Sequence, residues 1–156
     1  MSEAPSQLPP PHNPAVVRAV ATATYLAAII ALWGFGSLLL GGDVVGSPIV
    51  DWLLVPAMAF AACVATWFSL ARSGRMALWV RALASAVLAH AGMLLVVFAF
   101  HAIGASSVLW EWMPLVLVVF AINPFVIAAA LLSGVTVLLT AAFTRREGKK
   151  RLSSSK

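Results

Sequence analysis

Charge is what this sequence has least of: 10% of its 156 residues are Asp, Glu, Lys or Arg, against roughly a quarter in an ordinary soluble domain. With 62% of the chain hydrophobic and a mean hydropathy of +1.00, a water-soluble fold of this size could not hide its apolar surface, so the bilayer is the solvent to reason with. Cysteine occurs once, as Cys63, which excludes an intramolecular disulfide and any chemistry needing a cysteine pair. All five acids, Glu3, Asp43, Asp51, Glu111 and Glu147, fall outside the long apolar runs. No carboxylate is therefore available inside the membrane for proton-coupled transport, and no acidic cluster for a metal.

Four uncharged apolar runs are present, 19–40, 52–71, 82–100 and 114–143. Each reaches the length of about 18 residues needed to cross a hydrocarbon core of about 30 Å. They are apolar all round rather than alternating, which favours helices over barrel strands. The expected fold class is an all-α integral membrane protein, a four-transmembrane-helix bundle spanning 19–143. Residues 1–18 read as a disordered, Pro-rich N-terminal tail and 144–156 as a basic C-terminal tail. The first run exceeds a signal-peptide core of about 7–15 residues and has no basic residue before Arg18, so it is expected to stay as a helix.

The ten Lys and Arg residues fall in three places: Arg18, then Arg72, Arg75 and Arg81 between the second and third runs, then six after the fourth. The other two connections, 41–51 and 101–113, hold acids and no basic residue. Basic segments resist translocation, which predicts both termini in the cytoplasm of a plasma (inner) membrane. Tryptophans agree, with Trp52, Trp110 and Trp112 beside the outer connections, Trp67 and Trp79 beside the inner one, and Trp33 inside a span. Small residues at four-residue spacing, Ala57, Ala61 and Ala65, Ala82 with Ala86, and Ala130 with Gly134, mark seams where backbones can approach. The two halves of the chain match only as loosely as any four-helix protein obeying the charge rule would.

Few residues carry candidate chemistry. His90 falls mid-way along the third run and forms, with Asn123, the candidate intramembrane polar site; a neutral imidazole there needs a partner such as Ser85, Thr66 or Thr136. His101 lies about 16 Å farther along the same helix, so the two cannot share a metal, and the other three runs hold no histidine to oppose them across a haem. No cofactor or metal site is expected.

Asn123-Pro124 is a favoured helix-start dipeptide inside a run too long for one crossing. It predicts a kink or break in helix 4 at Pro124: either one long tilted helix bent there, or a helix that begins there behind a separate apolar segment that is re-entrant or lies at the outer surface. In the C-terminal tail Arg145, Arg146, Lys149, Lys150 and Arg151 are the expected contacts with anionic headgroups at the cytoplasmic face.

Connections of about a dozen residues are too short to build a catalytic domain, so the chain is not expected to be an enzyme or to bind nucleic acid. The expected function is that of an accessory, assembly or partner-recruiting membrane subunit, with other membrane subunits as candidate partners. Two alternatives stand beside it: a small transporter or channel using His90 or a broken helix 4, and a holin-like membrane-perturbing protein, similar in size and layout only.

Overall fold

The computed structural model describes residues 13–40, 53–72, 77–104 and 107–154. Among these residues every regular element is an α-helix: α1 (Pro14–Leu40), α2 (Leu54–Ala71), α3 (Leu78–Gly104), α4 (Ser107–Ala121) and α5 (Pro124–Ser154). Four are long and apolar enough to cross a membrane, over Pro14–Leu39, Leu54–Ala71, Leu78–Ile103 and Pro124–Arg146. The chain is a helical multi-pass membrane protein. Asp43, Asp51 and Trp52, and the side chains of Lys149, Lys150 and Arg151, lie outside the described residues.

Two helices start by the same device. The Asn13 side chain accepts from the amide of Ala15 (2.9 Å) and its carbonyl from Val16 and Val17, while Pro14, which has no amide to leave unpaired, takes the first helical position. At α5, Asn123 Oδ1 accepts from Phe125 (2.9 Å) and Val126 (3.3 Å), and Pro124 fills the same first position. The first device places the beginning of α1 inside the segment 1–18 expected to be a tail, so Arg18 sits on a helix. The second divides the segment 114–143 between α4, which already contains Pro114, and α5. Pro56 occupies the first turn of α2, where Ala57 N–H still reaches Leu53 O at 3.0 Å and no ladder bond is lost.

The four spanning helices pack in the cyclic order α1, α2, α3, α5, with α2 and α5 touching across the middle and α4 against α3 and α5. Neighbours in the ring are antiparallel: Tyr25 meets Ala129 and Trp33 meets Phe125, while Thr66 lies level with Ser85 and Ala61 with Gly92. Arg18, Arg72, Arg81, Arg145 and Arg146 consequently share one end of the bundle. Small residues let the backbones close. A Cβ built on Gly134 would come within 2.8 Å of the Ala82 carbonyl and 3.6 Å of the Ala86 methyl, so these residues meet across one seam.

At the opposite end α4 lies across α3. Trp110 stacks edge-on against Phe98 and Phe120 against His101, with ring centroids 6.1 and 6.3 Å apart. Ten residues of α4 cover about 15 Å while the three of α3 they bridge cover about 4.5 Å, which requires a steep crossing. At 15 residues α4 is also too short to span. It buries Met113 and Phe120 and exposes Trp110, Trp112, Leu115, Val118 and Val119.

The glycines give a direct check. Gly134→Ala is expected to lower stability by about 1–3 kcal/mol through overpacking, whereas Gly34→Ala, whose Cβ would meet nothing within 4 Å, should be neutral or stabilising. Equal behaviour of the two variants in detergent unfolding would contradict this packing.

Candidate intramembrane polar site

A hydroxyl inside a bilayer has no water to bond to, so it must find a partner within the protein. Four helices meet this requirement at one level. Thr66 on α2, Ser85 on α3 and Ser133 on α5 are fully buried, with Ser133 Oγ 2.8 Å from Thr66 Oγ1 and 2.6 Å from Ser85 Oγ. Thr66 donates its single proton to Ala62 O at 2.8 Å. Ser133 has two acceptors within reach of its proton, Thr66 Oγ1 and, at 3.4 Å, Ser85 O, and Ser85 Oγ closes the cluster against Ser133 Oγ. Tyr25 on α1 lies beside Thr66 and donates its phenolic proton to Ala129 O, one turn from Ser133, at 2.9 Å.

Each spanning helix thus contributes one hydroxyl to a polar node in an otherwise apolar core of Ile29, Met58, Ala62, Ala89, Met93 and Val126. Ser69 donates to Ala65 O one turn below, and Trp33 Nε1 reaches Phe125 O at 3.4 Å toward the far end. What the node does chemically is hold register. A rotation or slip of any one helix leaves a buried hydroxyl unbonded.

His90 is not part of it. The hydroxyls offered to it are engaged elsewhere, Ser85 and Thr66 with Ser133, and Thr136 with Leu132 O at 2.8 Å. Five residues separate His90 from Ser85, which turns its side chain about 140° around the helix, and it is half-buried rather than enclosed. Asn123 lies at the end of the bundle remote from the basic side chains, capping α5, so the structure does not bring His90 and Asn123 together. His101 instead closes a bond between its Nδ1 and Val97 O at 2.8 Å, donating as the Nδ1–H tautomer. Arg145 and Arg146 are exposed at the basic end of α5.

The node was missed in sequence because its members are ordinary residues. Three of the four apolar runs hold more than one hydroxyl, so spacing along a run does not say which of them meet, and in sequence Thr66 and Ser85 stand out only as partners for His90. Among the described residues no three of His, Cys, Asp and Glu come together.

The chain belongs to DUF6121, a family of unknown function whose model matches residues 12–154. No curated protein and no solved structure matches it.

Ser133→Ala, which removes the central hydroxyl, is expected to destabilise the bundle by about 1 kcal/mol, within the range for buried bonds between membrane helices. Asn123→Ala should cost a similar ~1 kcal/mol through the lost cap, and His90→Ala should cost less than either. A His90 variant more damaging than Ser133→Ala in unfolding from mixed micelles would move the polar site back to the histidine.

Proposed function

We propose that this DUF6121 member is a non-catalytic membrane subunit: a preassembled four-span unit that presents the outer face of α1 to another protein in the plasma membrane, with both termini in the cytoplasm. One observation carries this reading. Within its spanning segment α1 is 11% buried, against 28–33% for the other three spans. Its exposed surface runs through Ala23, Ala27, Ala31 and Gly34, small residues that allow close backbone approach, flanked by Ile30 and Leu38. Beside it an open apolar groove of about 550 Å³ between α1 and α5, lined by Ala28, Leu32, Phe35, Gly36, Phe125 and Leu132, has the shape to receive side chains from a neighbouring helix.

The hydroxyl node supports the same reading, because helices locked in register make a stable platform. The orientation is supported by the gathering of basic side chains at one end, since that end resists translocation. Transport has one observation in its favour, the discontinuity between α4 and α5. In broken-helix transporters the freed amides face the substrate; here Asn123 takes those of Phe125 and Val126.

A photocrosslinking residue placed at Ala27 or Gly34 should give discrete protein adducts in native membranes, while the same residue at Leu95 or Leu139, exposed on α3 and α5, should give lipid adducts. Protein adducts absent from α1, or equal at all four positions, would refute the docking face. For orientation, Ser153→Cys in a Cys63→Ser background should react with an impermeant maleimide only after the cytoplasmic side is opened. Labelling in intact cells would invert the assignment.

A further inference from the structure

A guanidinium nitrogen shielded from water loses its hydration unless a partner replaces it, and one here has no such partner among the described residues. Arg81 lies in the first turn of α3, half-buried, and its Nε is shielded from solvent without a hydrogen-bond partner among the described residues. Arg72 is the C-cap of α2, the adjacent helix. The two stand at the same height. Gly92 of α3 faces Ala61 of α2, with a built Cβ 3.7 Å from the Ala61 carbonyl; eleven residues along each antiparallel helix from that contact lead to Arg81 (92 − 11) and Arg72 (61 + 11).

The acid among the described side chains, Glu111, is on α4 at the opposite end and cannot serve them. Trp79, two residues from Arg81 and exposed, marks the depth as that of headgroups, where an indole is at home.

We infer that the arginine pair at the facing ends of α2 and α3 is a binding site for a phosphate group, with Arg81 as the principal ligand and Arg72 as the second. The planar fork of a guanidinium matches phosphate oxygens in a bidentate way, and a charge-assisted bond would satisfy the shielded Nε. At this depth the natural carrier is an anionic phospholipid, and a soluble phosphate would present the same chemistry. The site differs in kind from the tail, where exposed Arg145 and Arg146 attract negative headgroups without enclosing one.

The full chain, purified in mild detergent and examined by native mass spectrometry, tests this with three probes: phosphatidylglycerol, phosphatidylcholine and inorganic phosphate. Phosphatidylglycerol is expected to be retained about tenfold more than phosphatidylcholine, as one charge-assisted bond implies. That preference should vanish in Arg72→Gln/Arg81→Gln, survive in Arg145→Gln/Arg146→Gln, and be partly restored in Arg72→Gln/Arg81→Lys, which keeps the cation without the fork. Displacement of the lipid by millimolar inorganic phosphate would assign the same arginines to a soluble anion; no displacement would assign them to lipid. Should the glutamine variant misfold, the lysine variant alone decides, because an unchanged preference in it removes the need for a guanidinium. A preference that follows the tail arginines, or persists without Arg72 and Arg81, overturns the proposal.

Discussion

The structure depends on the hydroxyl of Ser133. In lipid, helices gain little from the hydrophobic effect when they associate, so the bundle needs interactions that lipid cannot substitute. Ser133 supplies two of them, toward α2 and toward α3, and is followed directly by Gly134, whose missing side chain lets α5 close on Ala82. The two features depend on each other. Hydrogen bonds as short as 2.6–2.8 Å between residues with side chains this small require backbones that almost touch, and backbones brought that close would have little reason to hold one register without the bonds.

From that centre the rest of the molecule becomes progressively less constrained. Tyr25 extends the node to α1 through a single bond to Ala129 O, and α1 leaves most of its span to its surroundings. At one end α4 lies across α3 through two aromatic contacts. At the other, arginines gather at the headgroup level, and the one with a shielded, unpartnered Nε is where an anion is most strongly called for. The bonds of the node are self-contained, whereas the apolar face of α1 and the arginine pair look outward. The proposal of a subunit that serves other membrane components rests on this distribution.

Much of the fold was readable because the membrane imposes simple rules. Apolar runs 19–40, 52–71 and 82–100 each correspond to one spanning helix, since a backbone in hydrocarbon must bond to itself. Asn123-Pro124 was readable as a possible start because the dipeptide combines a cap with a residue that has no amide to satisfy. The identical pair Asn13-Pro14 carries the same information but stands at the edge of a proline-rich segment, whose composition masks the local device. The candidate site was less readable. His90 drew attention because it can ionise, yet at a point half-way around the helix from Ser85 it has no role in the node.

What the sequence by itself determined is the number of apolar spans and the segregation of charge, because hydropathy and the cost of moving cations are properties of each segment taken alone. What only the tertiary structure decided is which small and polar residues meet. Ser, Thr, Ala and Gly are scattered through every run of this chain, and their meaning comes from rotation and height relative to a neighbouring helix. Thr66, Ser85 and Ser133 form one site, and Arg72 and Arg81 stand level, because the helices pack antiparallel at close range; neither relation is a property of any single helix.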